Sequence, residues 1–148
     1  MKAITVRQPW AWAIMHAGKD VENRSRNIVG SYRGPLVIHA GLAPFEKHNA
    51  ASIAHRQAHG SEVPTDLHFG AALGVVTLTD SHTDHRCRWV GASGNKVLCS
   101  TWAEAACGAS RVRHLVLTNP RPFAEPIPYR GALGLWEFPD ELLPEVAS

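Results

Sequence analysis

The sequence has little of what marks most extracellular and membrane proteins. Its 148 residues include only three cysteines, Cys87, Cys99 and Cys107, and a small, odd number argues against a disulfide framework. No apolar run approaches the roughly 18–20 residues that cross a bilayer. The first residues contain no continuous apolar segment typical of a secretory leader. These absences predict a cytoplasmic protein that does not engage a membrane.

Several catalytic and binding motifs are also missing. The chain contains no G-x-S-x-G, no P-loop and no G-x-G-x-x-G, which excludes the hydrolase elbow and the common nucleotide-phosphate loops. It has no C-x-x-C, and the grouping His82, Asp84, His85 and Cys87 has a spacing, H-x-x-H-x-C, that fits no structural zinc pattern. We therefore expect no metal and no cofactor. Cys99 and Cys107 are interpreted as apolar filler.

Lysine is scarce, with four lysines against eleven arginines. Arginine presents a planar fork that suits phosphate and stacks on bases. The charge is uneven, because six basic residues and two acidic ones precede Gly34, whereas four acidic and no basic residues occur from Glu137 onward. This asymmetry favours an electropositive face for nucleic acid or a phosphorylated ligand. The alternative is a solvated surface with scattered ion pairs.

Composition and periodicity predict one domain over residues 1–148 of class α+β. Helices are predicted at 10–17 and 43–59, with a helical turn at 101–106. Residues 119–128 carry four prolines and are predicted to be extended without forming a central strand. About six strands with two or three helices favour a small mixed sheet that nearly closes into a barrel. Strands or extended segments are predicted at 2–7, 19–26, 35–40, 71–80, 112–118 and 131–138.

Five different short sequence blocks follow one another along most of the chain. They are Ile4–Ala11, Gly18–Arg24, Tyr32–Ala40, Gly74–Asp80 and Gly131–Glu137. The second block is similar to a G-x-K-x-x-E-x-R signature. Together the blocks resemble the ASCH domain family, a branch of the PUA-like fold, and are closest in motif to its EOLA-like branch. The resemblance implies a PUA-like β-barrel with helices across its open side. It also implies a cleft between barrel and helices that binds RNA or a nucleotide.

The charged block has a physical interpretation of its own. If residues 20–24 are extended, Asp20, Glu22 and Arg24 point to one side, with Lys19 at the preceding turn. Glu22 can accept a hydrogen bond from an exocyclic amine, while Lys19 and Arg24 can hold a phosphate or a carbonyl oxygen. The alternative is an ion-pair cluster with a purely structural role.

The strand-to-helix junction at Arg7, Gln8 and Trp10 provides a second set of candidates, since a helix N-terminus can receive an anion and an indole can stack on a base. We expect the main candidates to converge on one concave site that is more positive than the rest of the surface. The main candidates are Arg7, Gln8, Trp10, Lys19, Glu22 and Arg24; further candidates are Tyr32, Arg33, His39, Asp80 and Arg130.

An enzyme is the alternative function. Some proteins similar to the ASCH family are amidohydrolases that remove the acyl group from acetylated cytidine, using a lysine, a threonine three residues later and an acidic residue. Here Lys19 matches the lysine, Glu22 stands in place of the threonine, and Glu104 or Asp80 is a candidate acid. A ribonuclease would need an acid and a base near a phosphate, for which His39 and Lys19 are candidates.

Because a carboxylate is a poor substitute for a hydroxyl nucleophile, the sequence favours binding of RNA or a nucleotide over hydrolysis. His39 lies in an apolar strand segment, where a buried structural histidine is the alternative to a catalytic one. The oligomeric state stays open, with a monomer preferred.

Overall fold

The computed structural model describes residues 1–43, 63–87, 89–90, 96–106 and 111–144. Six strands form one sheet, and two more, β5 (Trp89–Val90) and β6 (Lys96–Val97), form a separate ribbon. The six strands are β1 (Lys2–Val6), β2 (Val21–Arg24), β3 (Gly34–Ala40), β4 (Ala71–Thr83), β7 (Arg113–Pro128) and β8 (Trp136–Glu137). Their order is β2-β7-β4-β3-β1-β8. Only β1 and β3 pair in parallel, so the predicted mixed sheet of about six strands is confirmed.

The predicted closure into a barrel is wrong. In the described part of the chain, β2 and β8 are the outer strands of an open sheet, and each pairs with one neighbour only. The physical reason is their length: four and two residues offer few backbone groups with which to close a ring.

One α-helix, α1 (Trp10–His16), lies within the described residues, together with 3₁₀ turns at Asp84–Arg86 and Asp140–Leu142. This is fewer helices than predicted, and most of the helix predicted at 43–59 falls outside the described residues. The stretch 101–106 forms a turn and no helix. None of the described helices is long and apolar enough to span a membrane.

The proline-rich stretch continues the strand before it, so β7 is sixteen residues long. Its first part, up to Val116, lies between β2 and β4. Beyond Thr118, where all four prolines lie, the described neighbours include β4 only. Proline lacks a backbone donor and is tolerated at an edge or beside a bulge, and the β4–β7 register shifts repeatedly along this part. The prediction of an extended segment that is not a central strand is confirmed.

The predicted final strand shrinks to Trp136–Glu137, because a bend at Leu133, Gly134 and Leu135 precedes it. Gly134 has φ +69°, a left-handed conformation that interrupts a strand. Gly131 packs so closely on His39 and Thr5 that a β-carbon would lie 2.6 Å from the His39 ring. The stretch predicted as a strand therefore contains one glycine at a close approach and another in a turn.

The sheet buries both faces. On one face, Leu36 and Ile38 of β3 join a core with Ile14 and Met15 of α1. On the other, Val37 packs with Phe138 and the half-buried Trp136. Burial on both sides explains why β3 is a continuous apolar run instead of an alternating one.

Gly74 sits where α1 crosses the β4–β7 pair, and the fold leaves no room for a side chain there. A β-carbon would lie 2.5 Å from the carbonyl oxygen of Arg121 and 2.6 Å from the sulfur of Met15. We expect Gly74→Ala to lower the free energy of unfolding by about 1–3 kcal/mol, measured by urea denaturation. Gly41→Ala is the matched control, since its nearest neighbour would be 3.2 Å away. Equal losses at both positions would contradict the packing argument.

Candidate functional site

Lys19 is the centre of the candidate site, and the end of α1 places it there. The helix stops at His16, Gly18 adopts φ +72°, and the backbone N–H of Lys19 turns back to the carbonyl of Ala13. A left-handed glycine after a helix reverses the chain direction. The turn directs the lysine side chain inward, where only 4% of the residue is exposed.

The ammonium group of Lys19 is surrounded by polar and aromatic partners. Its Nζ donates a hydrogen bond to the carbonyl of Val21 and lies 3.6 Å from Oε2 of Glu22. The same nitrogen lies 5.5 Å from the ring centre of Trp10 and 5.8 Å from that of Trp102. These two indoles meet edge to face, with 6.5 Å between their centres. A cation beside aromatic rings is stabilised by their quadrupole, most strongly where water is excluded.

Glu22 links Lys19 to Arg24. The carboxylate is 7% exposed, and its other oxygen, Oε1, lies 3.1 Å from Nε of Arg24. Arg24 in turn donates from Nη2 to the carbonyl oxygen of Thr5, at 2.7 Å. The three charged residues of the K-x-x-E-x-R block thus form one cluster, anchored on β1.

A loop from residue 98 to 106 covers this cluster and adds a second carboxylate. Asn23 of β2 fastens the loop, because its amide nitrogen donates to the carbonyl of Trp102 and its amide oxygen accepts from the N–H of Glu104. A pocket of about 200 Å³ lies between the loop and the helix. Trp10, Lys19, Glu22, Asn23 and Glu104 line it.

Burial lowers the pKa of Lys19 below its ordinary value of 10.5, because desolvation penalises the charged form. The carboxylates of Glu22, Glu104 and Asp20 act in the opposite direction without cancelling the desolvation. The pocket lining contains one lysine and two carboxylates. It is therefore not the electropositive surface that the sequence predicts.

The structure brings Trp10, Lys19, Glu22 and Arg24 together, as predicted, and of the two candidate acids Glu104 lines the pocket whereas Asp80 does not. Gln8 has a different place: it is 1% exposed, accepts at Oε1 from the backbone N–H of Trp12 and donates from Nε2 to the carbonyl of His68. Its side chain holds the first turn of α1 against the segment that leads into β4.

The other predicted residues lie elsewhere or at the margin. Arg7 is exposed on the turn before Trp10, whose N–H donates to its carbonyl. Arg33 lies 3.8 Å from Asp80 in an exposed ion pair. Tyr32 packs on the core with its hydroxyl on the carbonyl of Pro35, and Arg130 is exposed after β7.

His39 is buried on the face of β3 opposite Leu36 and Ile38, as the alternation predicts. Its Nε2 lies 2.8 Å from the carbonyl oxygen of Tyr129, and its ring meets Trp136 edge to face. Burial lowers its pKa. It is not one of the residues that line the Lys19 pocket.

Trp102 and Asn23 contribute to the site but are not among the residues predicted from the sequence. No periodicity or motif surrounds Trp102, and Asn23 is an uncharged residue within a charged block. Contact between residue 23 and residues 102–104 spans about eighty positions, which no local pattern encodes.

Comparison with known proteins supports the fold. No protein-family model and no curated protein matches the sequence. The crystal structure of ASCH from Zymomonas mobilis matches with a TM-score of 0.54 at 15% sequence identity, over 95% of this chain and 88% of that chain. The chain has the ASCH fold. Two single-substitution variants of the Zymomonas protein match similarly, with TM-scores of 0.54 and 0.53.

At 15% identity the likeness to the Zymomonas ASCH structure concerns the fold. The resemblance to ASCH proteins noted in the sequence is thereby confirmed at the level of the fold. The assignment to the EOLA-like branch stays a prediction.

The lowered pKa of Lys19 predicts a specific dependence of stability on pH. In the interval just below 10.5 the unfolded chain keeps a proton on Lys19 that the folded chain has lost, so this residue makes stability rise with pH. We expect the free energy of unfolding of wild type, relative to that of Lys19→Met, to increase from pH 8 to pH 10, as measured by urea unfolding. Lys2→Met, at a partly exposed lysine, controls for general charge effects. A difference that stays constant over this interval would contradict the buried position of the ammonium.

Proposed function

We propose that the Lys19 pocket binds a nucleobase, presented by a nucleotide or by single-stranded RNA. The observation that carries the proposal is the set of side chains lining one pocket: the carboxylates of Glu22 and Glu104, the ammonium of Lys19 and the indole of Trp10. This set combines hydrogen-bond acceptors, a donor and an aromatic surface, which are the groups that recognise an unpaired base.

The size of the pocket limits the ligand. About 200 Å³ is smaller than the roughly 300–1,000 Å³ of pockets that enclose drug-sized molecules. A single base fits this scale, with its sugar and phosphate outside. The exposed Arg7, on the turn before Trp10, and the part-exposed Arg24 are the nearest candidates for a phosphate contact.

The donor and acceptor pattern narrows the choice of base. Two carboxylates accept hydrogen bonds from an exocyclic amine or a ring N–H, and the lysine donates to a carbonyl oxygen. Cytosine and guanine carry both an amine and a carbonyl oxygen. Adenine lacks the carbonyl oxygen and uracil lacks the amine, so each offers this set of side chains fewer complementary hydrogen bonds than cytosine or guanine.

The four nucleoside monophosphates test this at low salt, with affinities measured by titration calorimetry. We expect CMP or GMP to bind more tightly than AMP and UMP. Glu22→Gln removes a charged acceptor while keeping its shape, and should reduce discrimination by about 5- to 150-fold, equivalent to roughly 1–3 kcal/mol. Glu125→Gln, an exposed position on β7, is the matched control and should leave binding unchanged.

The absence of binding by all four nucleotides and by short single-stranded RNAs would overturn the proposal. Equal affinity for the four bases, unchanged in Glu22→Gln, would overturn the role given to the pocket while leaving phosphate contacts as the source of binding.

A second candidate is hydrolysis of an acylated nucleoside in the same pocket. The observation in its favour is the buried Lys19 beside two carboxylates, because a lysine with a lowered pKa can act as a base nearer neutral pH. Glu22, in place of a hydroxyl residue, leaves a water molecule as the nucleophile. The bond between acyl carbon and exocyclic nitrogen would break, releasing a carboxylic acid and the free amine.

N4-acetylcytidine is the probe for this second function, with release of cytidine and acetate followed by chromatography. If the pocket is catalytic, we expect turnover by wild type and by Glu125→Gln, and at least a 100-fold loss in Lys19→Met. Tight binding of cytidine nucleotides without any turnover would reject hydrolysis and support the binding function.

A further inference from the structure

Four potential metal ligands, none of which lines the Lys19 pocket, meet in one cluster. His82 is near the end of β4, Cys87 follows the 3₁₀ turn, Cys99 lies beyond β6, and His114 is near the start of β7. Their ligating atoms all lie within 4.8 Å of one another. Cys87 and His114 are buried, His82 is partly buried and Cys99 is exposed.

Three of the six ligand-to-ligand distances within this cluster match the edges of a coordination tetrahedron. The sulfur of Cys87 lies 3.3 Å from Nε2 of His82 and 3.3 Å from Nδ1 of His114. The sulfur of Cys99 lies 3.5 Å from the same Nδ1. With zinc bonds of about 2.3 Å to sulfur and 2.0–2.1 Å to nitrogen, tetrahedral ligands are about 3.3–3.8 Å apart.

Both histidines are held so that an unprotonated nitrogen faces the cysteines. Nδ1 of His82 lies 2.8 Å from Oδ2 of Asp80, and Nε2 of His114 lies 2.8 Å from the carbonyl oxygen of Glu104. Each oxygen accepts a hydrogen bond from the outer ring nitrogen, so in the neutral imidazole the proton is on that nitrogen and the inner nitrogen has a free lone pair. A carboxylate or carbonyl behind a histidine is the usual outer partner of a metal ligand.

The β-sheet pre-forms half of the site. His82 and His114 stand directly opposite each other in the β4–β7 register, and their rings are 5.3 Å apart. Opposed side chains on neighbouring strands are close by construction. The two cysteines then approach from the segment between the strands, where the carboxylate of Asp84 accepts from the N–H of Ala106 and orders the chain next to Cys87.

We propose that His82, Cys87, Cys99 and His114 bind one Zn²⁺ ion in a structural site. Two thiolates and two imidazoles in tetrahedral arrangement favour zinc over the harder cations, and four protein ligands leave no position for a substrate. The expectation of no metal came from the spacing of His82, Asp84, His85 and Cys87. In the structure, Asp84 holds the backbone and the exposed His85 is outside the cluster.

The position of the site indicates what a bound ion would stabilise. It would connect β4, β7 and the segment between them, from which Trp102 and Glu104 reach the Lys19 pocket. His114 connects the two regions directly, because it offers Nδ1 to the ion and holds the backbone of Glu104 with Nε2. The zinc site and the nucleobase pocket remain separate hypotheses, since metal binding requires no ligand in the pocket.

Metal analysis of the full chain tests the proposal directly. We expect about one zinc per chain after purification without chelator, and a lower Tm after removal of the metal by a chelator. Titration of the metal-free protein with Co²⁺ should produce thiolate-to-cobalt charge-transfer absorption and the intense visible bands of a tetrahedral ion. The charge-transfer bands report on the cysteines, whatever the activity of the protein.

Variants separate the four ligands from their surroundings. Cys99 is exposed, so replacing it should not disturb core packing. Cys99→Ser should abolish or strongly weaken metal binding and reduce the charge-transfer absorption. Asp80→Asn, which alters the outer partner of His82 and removes the charge of the exposed ion pair with Arg33, should weaken metal affinity about 10- to 100-fold. His85→Asn is the matched control and should bind zinc like wild type.

Three results would overturn the site. One is a metal-free protein whose Tm does not respond to zinc or to a chelator. Another is a cobalt spectrum without thiolate charge transfer. The third is a disulfide between Cys87 and Cys99 in protein purified under reducing conditions, detected by mass spectrometry.

Discussion

The pairing of β4 with β7 is the constraint on which the rest of the molecule depends. It is the longest strand pair in the described structure, and each end has a different task. At one end β7 also binds β2, so a single row across three strands contains Asn23, His114 and His82. Asn23 fastens the loop over the Lys19 pocket, and the two histidines face the cysteines. Both candidate sites therefore rely on one register, because a one-residue shift between β4 and β7 would place His82 on the face opposite to His114 and Asn23.

Most of the individual elements could be predicted from the sequence, because each depends on neighbours a few residues apart. The β-branched run of β1, the glycine after α1 and the apolar run of β3 are local signals. The open edge of the sheet was not predictable in the same way, since it depends on how short β2 and β8 become once the chain is folded. The final strand was predicted too long, because Gly131 makes a close approach to His39 and Gly134 adopts a positive φ.

The same distinction between local and long-range information applies to the residues of the candidate sites. Lys19, Glu22 and Arg24 belong to one short block and could be predicted together, whereas Trp102 joins them from about eighty residues away through its contact with Asn23. The four proposed metal ligands have the spacing H-x4-C-x11-C-x14-H. Zinc motifs are recognisable when pairs of ligands share a turn, and here each ligand comes from a different element. The decisive information is the cross-strand position of two histidines, which exists only in the folded sheet.

Gln8 has a consequence for how such sequences change over evolution. Its amide oxygen faces a backbone N–H and its amide nitrogen faces a backbone carbonyl, in a place that is closed to water. Glutamate would set an oxygen against the His68 carbonyl, and an apolar residue would leave both backbone groups without a partner. The position is thus restricted to one residue type by the polarity of two hydrogen bonds. A glutamine conserved at this position would therefore reflect the structure of the helix start and not the ligand. Homologous proteins that bind different ligands would be expected to keep it.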